Sequence, residues 1–366
     1  MRPSVEAVRR ALRHAAARVP DLFASDARLV VGFSGGQDST CLLHALSTHG
    51  PIIIAAHIDH ALRPDSAETA GQAAERARQL GVQALVRRVD VAAYRARQRG
   101  WSVQQAARVA RYQALAAIVR EHHARALLVA HTADDQAETL LLHLLRGSGL
   151  SGLSGMRLDE EFDPGKLGPR IEPGCAPASV RVARPLLSVP RATTLAYCTD
   201  LGLTLVEDAS NQSRAYTRNR VRLDLLPALE RFNPSIRTVL ARTADLLAED
   251  ESALEHVVER LHAQLATSDD QSVRYEVDGW RAHPRGLQRR LLRHSLQLLL
   301  GQTTDVHARA IDDALDLLAS GRPGQTYHLP YGVELLTSRR FFEMRLHGAA
   351  RSRSRANIRD LAAPCV

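Results

Sequence analysis

From Arg28 to about Glu207, short apolar runs alternate with longer stretches of helical spacing, the pattern of repeated strand-helix-strand units around a parallel sheet. Strands are predicted at Arg28 to Phe33, Pro51 to Ile58, Ala84 to Val89, Arg125 to Ala130 and Val180 to Ala183. The helices between them begin near Asp38, Ser66, Ser102 and Asp134, each opening on Ser or Asp, side chains that can cap free amides and complement the helix dipole. In such sheets ligands bind at the carboxyl ends of strands, so the turns after Phe33 and Ala130 are the places to look for chemistry.

Between Met156 and Val180 prolines, glycines and an acidic run argue against a regular element. From about Asn233 onward the strands stop and helical spacing takes over, and an alternating segment around Pro330-Tyr331-Gly332 predicts a closing hairpin. The organisation expected is therefore an α/β domain over 1–228, a mostly helical domain with a terminal hairpin over 229–350, and a flexible tail over 351–366.

Composition changes this picture little. Aromatic residues make up 4%, so the core must be aliphatic. No window approaches eighteen apolar residues and the arginine-dotted N-terminus lacks the apolar segment of a secretory signal, so a cytoplasmic protein without a membrane partner is expected. The cysteines Cys41, Cys175, Cys198 and Cys365 are scattered and form no CxxC pair, which signals neither a disulfide framework nor a metal site. The net charge of +8 is almost wholly arginine, Lys166 being the only lysine, and guanidinium forks suit a polyanionic partner. A genome rich in arginine codons would account for the same composition.

The strongest local signal is Ser34-Gly35-Gly36-Gln37-Asp38-Ser39, where an apolar strand ends and a helix starts. Glycines let the backbone approach a phosphate, and the helix start favours anions. The serines add hydroxyls, and Asp38 puts a carboxylate beside the anion site, suited to Mg²⁺ or a cationic substrate group. A second cluster, His131-Thr132-Ala133-Asp134-Asp135-Gln136-Ala137-Glu138-Thr139, follows the Arg125 to Ala130 strand at the same sheet edge. Asp134 and Asp135 lie one helical turn before Glu138, so three acids can converge where a cation is needed. Taken alone, Asp134 would merely cap the helix and Glu138 would be solvated; position beside the glycine turn favours a site.

The hexapeptide resembles the SGGxDS loop of PP-loop ATP pyrophosphatases, which cleave ATP between its α and β phosphates. The likeness narrows to the lysidine synthetase family through Asp59-His60-Ala61-Leu62-Arg63 running on to Ser66, Ala107-Arg108-Val109-Ala110-Arg111-Tyr112, and the His131 cluster, in that order. Gly147 to Leu153, Arg184-Pro185-Leu186-Leu187, Asp208-Ala209-Ser210-Asn211 and Arg218-Asn219-Arg220 fit the same pattern. Ala61 stands where many relatives have Gly, and Thr132 where many have a second His.

The resemblance implies an α/β, parallel-sheet PP-loop fold for a catalytic domain over 1–228, followed by a mostly helical, tRNA-binding domain over 229–350 with a small C-terminal β element. It implies a ligase that adenylates C2 of the wobble cytidine in a CAU-anticodon tRNA(Ile) and then joins free L-lysine there, releasing AMP and pyrophosphate. On this reading Ser34, Gly35, Gly36, Gln37, Asp38 and Ser39 bind ATP, Asp38 holds Mg²⁺, and Asp38, His131, Asp135, Glu138 and Arg220 carry the chemistry. Asp38, Asp135 and Glu138 hold lysine, while Arg108, Arg111, Arg218 and Arg220 contact tRNA. By spacing alone Arg108 and Arg111 would be a solvated basic stripe, Arg218, Arg220 and Arg222 would be surface charge, and Trp101 and Tyr112 core anchors. A homodimer is compatible with the sequence, and a thiolase of the same class or a catalytically silent nucleotide- or RNA-binding module are the alternative readings.

Overall fold

The computed structural model describes residues 2–48, 50–171, 179–206, 217–301 and 306–347. Two compact units result, Met1–Glu249 and Asp250–Val366.

The first unit opens with α1 (Pro3–Arg18), followed by β1 (Arg28–Gly32), α2 (Gln37–Ser47), β2 (Ile52–Asp59), α3 (Ser66–Gln79), β3 (Gln83–Arg88), α4 (Val91–Ala96) and α5 (Val103–Glu121). Then come β4 (Ala126–Leu128), α6 (Ala133–Leu145), α7 (Leu150–Leu153), β5 (Asp159–Phe162), β6 (Val180–Ala183), α8 (Arg191–Asp200), α9 (Thr217–Arg220) and α10 (Leu226–Glu230). The six strands form one sheet in the order β3-β2-β1-β4-β6-β5. All neighbours pair in parallel except β5 with β6.

Alternation along β1 explains the layering. Leu29 and Val31 face a core shared with α1, α2 and α8, while Val30 faces a second core built largely from α4 and α5. Strands covered on both faces need no polar side, which is why they read as near-continuous apolar runs. Tyr112 is buried and packs on Phe162 with ring centroids 4.9 Å apart, and Trp101 packs edge-on against Tyr94 at 5.9 Å; both serve as the core anchors expected of them.

The stretch from Met156 differs from expectation. Residues Asp159 to Phe162 form the antiparallel edge strand β5, because its acids find guanidinium partners across the sheet: Arg181 with Asp159 at 2.8 Å and Arg184 with Glu160 at 2.7 Å. Cross-strand opposite charges stabilise a pairing that residue propensity alone disfavours.

Helix α11 (Ile236–Leu265) begins in the first unit and continues into the second. The second unit contains β7 (Ala266–Ser268), β8 (Ser272–Glu276), α12 (Val277–Arg281), α13 (Arg285–Leu300), α14 (Ala308–Ser320), β9 (Thr326–Leu329), β10 (Val333–Thr337) and β11 (Phe341–Leu346). The expected hairpin is present, with Tyr331 at φ 63° in its turn, but it belongs to a five-stranded antiparallel sheet in the order β7-β8-β11-β10-β9. Strands β7 and β8 are short, and the second partner of β8, strand β11, is distant in sequence, so too few residues lie together for the period-2 pattern to stand out. Trp280, Tyr275 and Phe342 form the aromatic centre of this unit, with Tyr275 stacked on Phe342 at 5.2 Å. The compact first unit reaches past residue 228, because Leu240 packs on the cluster of Ala137, Leu141, Val221 and Leu226, and Arg237 pairs with Asp134 at 3.0 Å. The tail expected over 351–366 lies outside the described residues.

Candidate active site

The glycine turn leaves β1 at the carboxyl edge of the sheet. Gly35 has φ +81°, and a Cβ there would meet Val206 Cγ2 at 2.7 Å, so only glycine fits both the conformation and the space. Ser34 Oγ and Ser39 Oγ lie 3.1 Å apart, and Ser39 Oγ donates to the Gly36 carbonyl at 3.0 Å, so the two hydroxyls first of all shape the turn. Gly36 precedes α2, whose first-turn amides have no carbonyl before them to accept them and face an incoming anion.

Asp38 does not cap its own helix. Its carboxylate accepts from Arg191 Nε at 3.1 Å and from Thr194 Oγ1, both on α8. Burial, the largest influence, raises its carboxyl above the ordinary range and neighbouring Asp135 acts in the same direction, against Arg191 and Thr194. Gln37 completes the joint by donating to the Arg191 carbonyl at 3.0 Å.

Helix α6 starts at the same edge, after β4. Asp135 Oδ2 accepts from the Thr132 amide and hydroxyl, both at 3.0 Å, and the same carboxylate takes Arg191 Nη2 at 3.2 Å and Arg218 Nη2 at 3.4 Å. Burial alone would raise it, but Arg191, Arg218 and the Thr132 amide outweigh burial and hold Asp135 ionised. Thr132, fully buried, thus has the local task of starting α6. Asp134 turns outward from its own helix: it accepts the Arg191 amide at 2.8 Å, capping α8, and pairs with Arg237. Gln136 exchanges two hydrogen bonds with the Met156 backbone, at 2.8 and 2.9 Å, and a Cβ on Gly155 would lie 2.6 Å from its Oε1.

Glu138 is fully buried. Arg218 Nε reaches its Oε2 at 2.8 Å, while Arg222 Nε reaches its Oε1 at 2.6 Å. The cations that the three acids require are therefore the chain's own arginines. Arg222 comes from a π-helical turn, Val221–Leu225, a local geometry that recurs at functional sites.

His131 sits between the acids and a group of like charges. Arg184 Nε donates to its Nδ1 at 3.2 Å, and since arginine cannot give up that proton, the neutral ring carries its hydrogen on Nε2. Burial, joined by the positive charges of Arg184, Arg218 and Arg111, pushes the imidazole far below its usual range against the pull of Asp135. His131 is a neutral donor here. Arg108 and Arg111, exposed on α5, lie over the Tyr112 ring at 5.1 and 5.5 Å from its centroid. Although water reaches Arg108, partial desolvation and the like charges of Arg111, Arg218 and Arg184 act against its charge. Repulsion of that kind is relieved by an anion.

Arg220 is exposed at the end of α9, without a hydrogen bond or ion pair among the described residues. Asp59, buried at the end of β2, accepts the Ala61 amide at 2.9 Å, and Ala61 itself has φ +51°, which accounts for a glycine being suited to that place. The motif Asp208 to Asn211 lies outside the described residues. Sequence reasoning missed Arg191, Thr194 and the partnership of Arg222 with Glu138; the only local trace of Arg191 is a proline before it that marks a helix start.

A family model described as a PP-loop domain matches residues 6–229. A tRNA(Ile)-lysidine synthase of Leifsonia xyli is 40% identical over 287 residues, covering 76% of this chain and 79% of that protein. The chain belongs to the tRNA(Ile)-lysidine synthase family. The synthase of Dehalococcoides mccartyi is 36% identical over 310 residues, or 83% of this chain, but the chain spans only 63% of that relative's length. Among solved structures, a U34-tRNA thiolase from Methanococcus maripaludis superposes with a TM-score of 0.53 at 16% identity, over 67% of this chain and 79% of that one, a likeness of fold alone. No described helix is long and apolar enough to cross a membrane.

Proposed function

We propose that this chain is a tRNA(Ile)-lysidine synthase. It uses ATP to adenylate C2 of the wobble cytidine in a CAU-anticodon tRNA(Ile), then lets the ε-amine of free L-lysine displace AMP. The observation that carries this reading is the joining of the Gly35-Gly36 turn to the acids of α6 through Arg191, with a cationic group around His131 beside them. Family membership supports it. One place thus offers amides for phosphate, arginines for a polyanion and carboxylates for a cationic substrate.

In the first step the cytidine O2 attacks the α-phosphorus and pyrophosphate leaves. The turn Ser34, Gly35, Gly36, Gln37, Asp38 and Ser39 holds the triphosphate through backbone amides at the start of α2. The His131 Nε2-H and Arg220 donate to phosphate oxygens as charge develops on the leaving group. Arg108 and Arg111 place the cytidine and its phosphates, and Arg218 adds a further RNA contact. Among the described residues no three His, Cys, Asp or Glu side chains gather into a metal cluster. A Mg²⁺ held mainly by phosphate oxygens and water, with Asp38 as its protein carboxylate, fits that donor set and would supply charge neutralisation at the phosphates.

In the second step Asp38, Asp135 and Glu138 receive the cationic groups of lysine. The ε-nitrogen, once deprotonated, attacks C2; the C–N bond forms as the C2–O bond to AMP breaks. Lysine enters as a free amino acid, a homodimer is compatible with this chemistry, and the cytoplasm is where such a tRNA would be met.

The test is incubation with unmodified CAU-anticodon tRNA(Ile), Mg-ATP and lysine, followed by digestion and nucleoside mass spectrometry. Lysine-dependent conversion of cytidine to lysidine with release of AMP and pyrophosphate is expected. ATP cleavage and tRNA adenylation that ignore lysine would move the nucleophile elsewhere; no dependence on ATP or tRNA would overturn the reading in favour of a silent binding module.

A further inference from the structure

All three acids proposed to hold lysine are already paired. Asp38 is held by Arg191, Asp135 by Arg191 and Arg218 with Arg222 at 3.6 Å, and Glu138 by Arg218 and Arg222. An ammonium group cannot join a fully buried carboxylate that two guanidiniums already flank. It would gain little from Glu138 and be repelled by both arginines. At least one cation must leave first.

Arg191 is not the one. It bonds Asp38 and Asp135 but not Glu138, so its departure would leave Glu138 flanked by Arg218 and Arg222 as before. Arg218 and Arg222 are the two guanidiniums on Glu138, and both side chains keep contact with water. The backbone beneath them is anchored by Val221 and Leu226 on Ala137 and Leu141, so the guanidiniums can turn without the helix moving. Arg218 is also among the positive charges that crowd Arg108 and His131, next to the place proposed for phosphate.

We infer that Arg218 and Arg222 set the order of substrate binding: they hold Glu138 until phosphate oxygens draw them off, and only then is the acidic pocket open to lysine. This rests on the proposed lysidine-forming reaction. The polyanion exchanges one ion-pair partner for another, so no bond or proton changes hands. Lysine and polyanion binding are consequently coupled, each strengthening the other by one factor.

Calorimetric titration of L-lysine into the full chain, alone and with Mg²⁺, α,β-methylene ATP and unmodified CAU-anticodon tRNA(Ile), tests the order. Lysine should bind about tenfold or more tightly in the presence of the polyanions. Saturating lysine should tighten the analogue in complex with tRNA by the same factor, a comparison that needs no variant. A chain carrying Arg218→Gln and Arg222→Gln should bind lysine without polyanion at close to the liganded wild-type affinity. Equal wild-type affinity in both arms overturns the order while leaving the lysidine reading intact, as does a double variant that folds but binds lysine no better than the unliganded wild type. Absence of lysine binding in every arm overturns both.

Discussion

Arg191 is engaged through four of its polar groups at the junction of two motifs that lie about a hundred residues apart in sequence. Its Nε and Nη2 join Asp38 to Asp135, its amide caps on Asp134 and its carbonyl receives Gln37. Arg191→Met, which keeps the stem and removes the fork, should lower stability by roughly 1–3 kcal/mol, read as a shift in the denaturant midpoint, because Asp38 loses its counter-charge and Asp135 loses one of its arginine partners. Asp38→Asn should abolish both adenylation and lysidine formation. Glu138→Gln should still adenylate tRNA while losing lysine transfer, and the two steps separate when adenylated tRNA is assayed apart from lysidine. Retained lysidine formation by Asp38→Asn would remove Asp38 from its proposed role. Backbone conformation adds a test independent of activity: Ala61, held at φ +51°, should be stabilised by up to about 1 kcal/mol on replacement by glycine, seen as a raised denaturant midpoint.

At the scale of elements, helix α6 couples stability to pH. The folded Asp135 carboxyl is held down at about 2, below its unfolded value of 3.8, so its contribution is fully present above the unfolded value and is lost as pH falls through the folded one. Between pH 5 and pH 2 the wild type should therefore lose more stability than Asp135→Asn, measured as denaturant midpoints across that range; equal losses would show that the arginines do not favour the ionised form. The elements of the parallel sheet were legible because each central strand is apolar on both faces, and the glycine turn was legible because its constraint is local in sequence. Strand β5 was not, since Asp159, Glu160 and Glu161 read as loop until Arg181 and Arg184 stand opposite. Helix starts were anticipated better than their caps: Ser102 accepts from the Gln105 amide at 3.1 Å as expected, whereas Asp38 and Asp134 bond across to α8. Such tertiary capping leaves no trace in a local window. The same reason hid Arg222, whose neighbours in sequence suggest solvent while its carboxylate partner lies 84 residues away.

For the whole molecule, the excess of positive charge predicts that tRNA affinity falls steeply with ionic strength, with the logarithm of the association constant linear in the logarithm of salt. Filter binding over a salt series measures this slope, and a flat line would argue against phosphate contacts by the exposed arginines. The two margins of the six-stranded sheet bear on another property of the molecule. At one end β3 carries Arg87, tied to Glu121 at 2.6 Å, with Arg88 beside it, and at the other β5 carries three consecutive acids. Open strand edges template pairing with other chains, and charge along them works against it. The acidic ribbon that binds the last strand to its neighbour thus also acts as a guard against self-association: replacing Asp159, Glu160 and Glu161 by threonine should turn that margin into a sticky seam, visible as rising light scatter in concentrated solution.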